Sequence, residues 1–147
     1  MENSVEVTCT RRLEFDAGHR VLGHQGKCRH PHGHRYAVEV SAIAPELNAL
    51  GMVTDFALLK ETCGGWIDEH WDHGFLVAEK DTEMQNALSL IKDSKVYILP
   101  CNPTAENIAQ YLQAKFAVLM APHGINVHRV RVYETPNCWA DCDGADA

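Results

Sequence analysis

The sequence predicts an α+β fold in which helices pack on one face of a largely antiparallel sheet. Segments of β-type alternation and of helical periodicity follow one another in the order strand, strand, helix, strand, helix, strand. No repeat, heptad or low-complexity tract interrupts that order. The chain has 147 residues, the size of one ordinary domain, so we expect a single domain over residues 1–147.

The first two strands are predicted on either side of a long polar loop. VEVTCTRRLEF (residues 5–15) is rich in β-branched residues, and HRYAVEVSAIA (residues 34–44) alternates until Pro45. The loop between them is punctuated by Gly23, Gly26 and Pro31 and contains many potential metal ligands. Loops of about 15 residues without secondary structure of their own are usually functional or disordered. We therefore expect this loop to carry function.

Two helices and two further strands are predicted downstream. A helical pattern begins at Asp55, its expected N-cap, and CNPTAENIAQYLQAKFAVLM forms an amphipathic helix with Thr104 as N-cap. Residues 95–99 and 126–135 are predicted strands. The intervening HWDHGFLVAEKDTEMQ is interpreted as loop and irregular structure.

Charge and hydropathy exclude two classes of partner. The formal net charge is −7 and the basic residues form no stripe, whereas binding to a phosphate backbone requires a basic footprint. No segment approaches the roughly 20 apolar residues that span a bilayer, and no secretory signal is visible. We therefore expect a cytoplasmic protein without nucleic-acid or membrane partners.

The six cysteines are expected to be free thiols, mostly buried and inert, because the cytoplasm keeps cysteines reduced. Cys138 and Cys142 belong to the acidic tail 137–147, which we expect to be partly disordered. An alternative is a disulfide- or metal-linked tail module built on these two cysteines. Their three intervening residues fit the usual spacing of a zinc-binding pair poorly.

The stretch KCRHPHGHRY concentrates three histidines, a cysteine and three basic side chains in ten residues. Residues two apart in a strand point to the same side, so His32 and His34 could present two imidazoles to one metal ion. Taken alone, this pattern is more often an exposed polar strand face. His19 would lie beside the pair if the two strands form a hairpin, but spacing does not distinguish it from His24 or His30. Three imidazoles with an open fourth position are typical of catalytic zinc.

Other side chains could perform acid–base chemistry or bind a ligand. Cys28, between two basic residues and four positions before His32, could be a fourth metal ligand or a reactive base. Asp72 and His73 offer the carboxylate and imidazole of a general acid or base, or belong to a surface loop. Glu134 could accept two parallel N–H donors from an amidine-like heterocycle, or be an exposed charge. The basic residues around the cysteine could hold a small anionic ligand.

Taken together, six motifs resemble the 6-pyruvoyl-tetrahydropterin synthase and 6-carboxy-tetrahydropterin synthase family. They are Phe15-x-Ala17-x-His19, Cys28-x3-His32-Gly33-His34, Asp55-Phe56, Asp72-His73, Pro103-Thr104-Ala105-Glu106-Asn107 and Glu134-Thr135. Each motif alone is weak, but all six occur in family order between about Val5 and Thr135.

The resemblance implies the T-fold (tunnelling fold), a four-stranded antiparallel sheet with two helices on one face. Three subunits of this fold close a barrel, and two trimers stack into a homohexamer whose active sites are built from more than one subunit. The resemblance also implies residue roles. The zinc ligands are His19, His32 and His34. The catalytic residues are Cys28, as a base and not a ligand, Asp72 and His73. The residues that bind the pterin substrate are Thr104, Glu106 and Glu134.

Family members act on 7,8-dihydroneopterin triphosphate, so the resemblance implies a zinc-dependent lyase. In the family, the loop between the cysteine and the HGH motif is short in carboxy-forming enzymes and five residues long in pyruvoyl-forming enzymes of animal type. Here three residues intervene. We therefore expect a 6-carboxy-5,6,7,8-tetrahydropterin synthase of 7-deazaguanine (queuosine) biosynthesis that releases acetaldehyde and triphosphate.

Two alternatives to this function stay open. One is a 6-pyruvoyl-tetrahydropterin synthase, which eliminates triphosphate in a tetrahydrobiopterin-type pathway. The other is a non-catalytic zinc-binding T-fold protein. The presence of Cys28 together with Asp72 and His73 argues against the second alternative, because a protein that only binds metal needs none of them.

Overall fold

A computed structural model describes residues 6–144, so Val5 and residues 145–147 of the predicted tail lie outside it. The elements, in chain order, are β1 (Thr8–His19), β2 (His32–Ile43), α1 (Phe56–Leu59), α2 (Gly65–His70), β3 (Gly74–Ala78), α3 (Thr82–Ser89), β4 (Val96–Leu99), α4 (Ala105–Met120), β5 (Asn126–Thr135) and β6 (Cys138–Asp143). A π-helical turn at Lys60–Gly64 joins α1 to α2, and short 3-10 turns occupy Lys27–Arg29 and Ala121–His123.

Within residues 6–144, six strands form one sheet in the order β4-β3-β1-β2-β5-β6. Neighbours among β1, β2, β5 and β6 are antiparallel, but β3 runs parallel to β1 and β4 runs parallel to β3. The predicted α+β class is confirmed. The predicted four-stranded antiparallel sheet is wrong, because the sheet is mixed and has two additional strands.

The segment interpreted as irregular contains one of the additional strands and the first half of a helix. β3 (GFLVA) is almost completely buried, so it lacks the alternation of polar and apolar residues that indicates a strand. α3 begins where the Asp81 carboxylate accepts a hydrogen bond from the backbone N–H of Met84. That cap joins positions only three apart, so its signal is local in the sequence.

The acidic tail supplies the other additional strand. β6 pairs with β5, and two ion pairs cross between them: Arg129 Nε lies 2.8 Å from Asp143 Oδ1, and Arg131 Nε lies 2.7 Å from Asp141 Oδ1. The prediction of disorder is therefore wrong for Cys138–Asp143. The acidic residues that suggested a solvated tail have arginine partners on the neighbouring strand.

Both predicted helix caps are confirmed. The Asp55 carboxylate accepts a hydrogen bond from the N–H of Ala57 at 2.9 Å, and the Thr104 hydroxyl accepts one from the N–H of Asn107 at 3.1 Å. Each satisfies an N–H group that the first helical turn leaves without a partner, a contribution of about 1 kcal/mol.

The helices pack on one face of the sheet. The core consists of alternate residues of the central strands and the inner faces of the helices, and includes Leu13, Phe15, Val38, Val40, Leu59, Ile67, Ile108, Leu112, Phe116 and Val130. Full burial of each such side chain contributes about 1.5–3 kcal/mol. The opposite face of the central strands carries polar and charged side chains, including Arg12, Glu14, Asp16, Arg35 and Glu39.

All six cysteines are free thiols, as predicted. The expectation that most are buried is wrong, since of the six only Cys63 is buried and Cys138 is exposed. Burial in the core raises the pKa of the Cys63 thiol to about 12, which keeps it protonated. Among residues 6–144, no helix is long and apolar enough to cross a membrane.

Candidate metal centre and acid–base pair

The end of β1 and the start of β2 bring three imidazoles together. The antiparallel register places His19 opposite His32 and Ala17 opposite His34. Nε2 of His32 lies 3.1 Å from Nε2 of His19 and 3.1 Å from Nε2 of His34. Of the three candidates for the third metal ligand, the structure brings His19 next to His32 and His34. We call these three residues the histidine cluster.

Backbone carbonyl groups hold two of the three rings. Nδ1 of His19 lies 2.6 Å from the carbonyl oxygen of Pro103, and Nδ1 of His32 lies 2.6 Å from that of His30. Because a carbonyl oxygen only accepts, each Nδ1 carries the proton and donates it. Each Nε2 therefore presents a lone pair to the shared point. Metal-binding histidines are typically oriented by such a bond from their second ring nitrogen.

The histidine cluster fits a bound cation. Burial lowers the pKa of His19 to about 4; the bond to Pro103 opposes this effect, and the neighbouring His32 and His34 add to it. Burial also lowers the pKa of His34, although the charge of Glu134 opposes the change. Metal ligands must be deprotonated, and neutral imidazoles whose lone pairs converge meet that requirement. Three imidazole donors match the protein ligands of a catalytic zinc site.

Glu134 lies beside the histidine cluster. Its Oε1 is 3.6 Å from Nε2 of His19. Strand β5 pairs with β2 through Tyr133 and Ala37, so the next residues along the two strands, Glu134 and Tyr36, are neighbours on the face that carries the cluster. A carboxylate at the end of β5 is therefore available to a ligand bound at the cluster.

Tyr36 forms the base of this region, although it belongs to none of the six sequence motifs. Its ring is fully buried, stacks on Phe15 with the ring centroids 5.2 Å apart, and meets the edge of the His34 ring at 5.5 Å. Burial raises the pKa of the phenol, and the charge of Glu134 adds to the effect, so the hydroxyl stays protonated. Its position two residues after His34 in a strand was the signal that could have identified it.

Asp72 and His73 form a contacting pair. Oδ2 of Asp72 lies 3.0 Å from Nδ1 of His73, and Oδ1 accepts a hydrogen bond from the backbone N–H of Asp16 at 3.1 Å. His73 has a left-handed backbone (φ 61°), and its N–H donates to the carbonyl oxygen of Asp16 at 2.7 Å. Partial burial raises the pKa of the Asp72 carboxyl, but the hydrogen bonds from Asp16 and His73 and the nearby positive charges hold it below its usual value.

Lys95, which has no sequence signature, holds the same turn. Its Nζ donates to the carbonyl oxygens of Asp68 at 2.9 Å and Asp72 at 2.6 Å. These carbonyl groups belong to the last turn of α2 and to the residue before His73, where a cation also meets the negative end of the helix. The lysine therefore ties the acid–base pair to the start of β4.

The histidine cluster and the Asp72–His73 pair lie on opposite faces of the sheet. Adjacent residues of a strand point to opposite faces, so Asp16 and Arg35, bridged at 3.2 Å, point away from the face of His19. Asp16, Arg35 and His73 line a cavity of about 420 Å³ that also reaches His34. The sheet therefore separates the His73 imidazole from the point on which the cluster nitrogens converge.

Cys28 lies in the 3-10 turn between β1 and β2, partly exposed. Its carbonyl oxygen accepts a hydrogen bond from the N–H of Val21 at 2.8 Å. Among the described residues, its sulfur joins neither the histidine cluster nor the group of Asp16, Asp72 and His73. The geometry therefore offers no support for a fourth metal ligand at this position within one chain.

Thr104 and Glu106 lie at the start of α4, directly after the Pro103 carbonyl group that holds His19. The Thr104 hydroxyl caps the helix, and Glu106 belongs to its first turn. The segment thus lies next to the histidine cluster. A role for either side chain in substrate binding stays a prediction.

The fold and this site define an α+β protein with a three-histidine candidate metal centre and a separate acid–base pair. The model of the family described as 6-pyruvoyl tetrahydropterin synthase matches residues 8–145. The chain therefore belongs to that family, as its motifs predicted.

Known relatives and solved structures agree with the assignment. The chain is 44% identical over 136 residues to a protein of Rickettsia bellii named 6-carboxy-5,6,7,8-tetrahydropterin synthase, covering 92% of this chain and 99% of the relative. A protein of Haemophilus influenzae with the same name is 33% identical, covering 90% and 95%. The structure of an uncharacterized protein from Wolinella succinogenes has a TM-score of 0.85 at 26% identity, covering 97% of this chain and all of the other. The 6-pyruvoyl tetrahydropterin synthase of Caenorhabditis elegans has a TM-score of 0.69 at 26% identity, covering 99% and 100%.

Proposed function

We propose that this protein is a zinc-dependent 6-carboxy-5,6,7,8-tetrahydropterin synthase. It converts 7,8-dihydroneopterin triphosphate and water into 6-carboxytetrahydropterin, acetaldehyde and triphosphate, in the cytoplasm and as a step of queuosine biosynthesis. The observation that carries the choice of reaction is the 44% identity to the Rickettsia bellii synthase over nearly the whole of both chains. The short loop after Cys28 favours the same product.

His19, His32 and His34 would hold the zinc ion, because their converging lone pairs are the ligands that zinc prefers. When bound, zinc supplies Lewis-acid polarisation to the hydroxyl groups of the substrate side chain. The chain contributes the orientation of the ligands: the His19 and His32 rings donate hydrogen bonds to the carbonyl oxygens of Pro103 and His30, and these bonds prevent the two rings from turning.

The remaining residues bind the substrate and move protons. The Glu134 carboxylate accepts two parallel N–H donors from the pterin ring, while Thr104 and Glu106 line the pocket. The Cys28 thiolate removes a proton from the carbon side chain, and His73 returns protons to the substrate with Asp72 fixing its orientation through the 3.0 Å contact.

We also propose that a complete site needs two copies of the chain, in a homohexamer formed as a dimer of trimers. Cys28 and the histidine cluster of one copy would meet Asp72 and His73 of another. Two features support this arrangement: the pair and the cluster lie on opposite faces of the sheet, and β4 and β6 leave edges of the sheet open for pairing with neighbouring copies.

The product assay tests the reaction. Zinc-loaded protein is incubated with 7,8-dihydroneopterin triphosphate, the pterin products are separated, and released aldehyde is trapped. We expect 6-carboxytetrahydropterin with stoichiometric acetaldehyde. Formation of 6-pyruvoyl-tetrahydropterin without acetaldehyde would assign the chain to the other branch, and no turnover by fully zinc-loaded protein would indicate a non-catalytic zinc-binding protein.

Mixing two inactive variants tests the shared site. Cys28→Ala and His73→Ala are each inactive if both residues are catalytic. After random reassembly from equal amounts, about a quarter of the sites should combine an intact Cys28 from one copy with an intact His73 from another. We expect that fraction of wild-type turnover. No recovery in verified mixed assemblies would mean that each site belongs to one chain.

A further inference from the structure

A cavity of about 370 Å³ lies at the loop between β1 and β2 and has no role in the proposed reaction. The ionisable side chains that line it are Arg20, His24, Arg29, His30 and Glu83. Four of these five are basic groups, in a protein whose net charge is −7. The cavity is therefore a local exception to the acidic character of the molecule.

Two walls of this cavity adjoin residues of the histidine cluster along the chain. Arg20 directly follows His19, and the carbonyl oxygen of His30 holds Nδ1 of His32 at 2.6 Å. Cys28 and Arg29 share the 3-10 turn that separates these two walls. The cavity therefore adjoins the turn that carries Cys28, where β1 ends and β2 begins.

The Arg20 guanidinium is fixed by a buried carboxylate on one side and bonded to an exposed carboxylate on the other. Its Nε and Nη2 donate to the Asp81 carboxylate at 2.7 and 2.5 Å, and Asp81 is only 2% exposed. Its Nη1 donates to Glu83 at 3.1 Å, but that side chain is 84% exposed. Exposed ion pairs contribute little to stability, so an incoming anion can readily replace Glu83. Asp81 keeps the guanidinium in place during that exchange.

Two other side chains of the cavity have donors to offer. One nitrogen of Arg29, Nη1, donates to the carbonyl oxygen of Gln25 at 2.7 Å, which uses one of the five N–H groups of a guanidinium. Nδ1 of His24 accepts a hydrogen bond from the N–H of Gly26 at 2.8 Å, so the proton of a neutral imidazole lies on Nε2, which can donate. Arginine matches the oxygen geometry of phosphate groups particularly well.

We propose that this cavity binds the triphosphate group of the substrate. This inference rests on the proposed function, in which the hydroxylated side chain of the pterin lies at the metal centre. The triphosphate is attached to the last carbon of that three-carbon side chain, so it must lie within a few bonds of the histidine cluster. Arg20 and Arg29 bind its oxygens, and Glu83 is displaced when they do.

Binding measurements on the zinc-loaded protein test this site, with inorganic tripolyphosphate and neopterin as separate probes in isothermal titration calorimetry. Tripolyphosphate carries only the phosphates, and neopterin carries the ring and side chain without them. Arg29→Gln should weaken tripolyphosphate binding about tenfold and leave neopterin binding unchanged, because it removes one charge-assisted contact. Zinc content is measured after each titration, since tripolyphosphate also chelates free zinc.

Glu83→Gln should change the affinity for tripolyphosphate in the opposite direction. It removes the carboxylate that competes for Arg20, so tripolyphosphate should bind several-fold more tightly. Lys92→Gln is the control, because it makes the same charge change as Arg29→Gln at an exposed position between α3 and β4. It should alter both affinities less than about twofold.

Unchanged tripolyphosphate binding in Arg29→Gln, or equal weakening of both probes, would overturn the assignment. Arg29-dependent tripolyphosphate binding without turnover of the pterin triphosphate would support the anion site and contradict the proposed reaction.

Discussion

The two histidine-containing sites of this protein lie near the same end of β1, yet they are built in opposite ways. The side chain of His19 is 1% exposed, and its Nδ1 bonds a backbone carbonyl group. The side chain of His73 is 76% exposed, and its Nδ1 meets the carboxylate of Asp72. One environment removes water and keeps the imidazole neutral, and the other leaves the ring in solvent beside a negative charge.

This difference indicates two kinds of chemistry for one residue type. A buried neutral imidazole with a fixed ring is suited to metal ligation, because no proton competes for its lone pair near pH 7. An exposed imidazole that contacts a carboxylate is suited to proton transfer. The four predictions below test whether the two sites have these separate roles.

Removal of a cluster histidine should have the largest effect. We expect His32→Ala to lose stoichiometric zinc. The activation free energy should rise by several kcal/mol, so turnover should fall on the order of a thousandfold or more. The protein should stay folded, because its apolar core does not depend on the metal. Metal analysis, circular dichroism and the product assay measure the three quantities. His123→Ala, in the exposed 3-10 turn after α4, is the matched control and should keep its zinc. Full zinc occupancy in His32→Ala would refute the assignment of the ligand.

Cys28→Ala should separate metal binding from turnover. We expect zinc content to stay at the wild-type level and turnover to fall about a hundred- to ten-thousandfold, because the proposed role is proton transfer. Cys138→Ala replaces an exposed thiol at the edge of the sheet and should be fully active. If Cys28→Ala loses zinc, the cysteine is a ligand and the site is a closed, structural one.

Acidification should destabilise the metal-free protein through the buried cluster. The pKa of His19 is about 4 in the folded state against 6.5 as its ordinary value, so between these values the unfolded chain binds more protons. The free energy of unfolding should therefore fall as the pH drops from about 6.5 to 4, by up to about 3 kcal/mol from this residue.

Urea unfolding of metal-free protein at several pH values measures this dependence. His19→Asn should lose that part of the pH dependence, whereas His73→Asn, at the exposed site, should retain it. Identical pH profiles for wild type and His19→Asn would mean that the histidine cluster is not held neutral by burial.

Lys95→Met should have the smallest effect on turnover, because the lysine only positions the Asp72–His73 pair. It removes a charged donor from two carbonyl groups, so we expect a loss of about 1–2 kcal/mol in unfolding free energy. The value of kcat should fall up to about tenfold while KM and zinc content stay unchanged, and Lys95→Arg should recover part of the loss. Lys92→Met is the control at an exposed position. An unchanged kcat in Lys95→Met would show that the lysine serves stability alone.

Features that depend on a few neighbouring residues were predictable from the sequence. The caps at Asp55 and Thr104 were identified because a cap is a contact across two or three positions. The strand at residues 126–135 was identified because its alternation is local. The six motifs also established the family, although individual residues within them were ambiguous by spacing alone.

The tertiary structure decided which residues from distant parts of the chain become neighbours. Spacing left His19, His24 and His30 as equal candidates, and the register of β1 and β2 brought His19 to the cluster. The position of His73 on the other face of the sheet depends on β3, which pairs with β1. This strand is buried along nearly its whole length, so its sequence lacks the alternation that predicts a strand. A sequence pattern reports how one segment divides its residues between water and core. It does not report which partner strand supplies the opposite residue, because pairing energy comes from segments far apart along the chain.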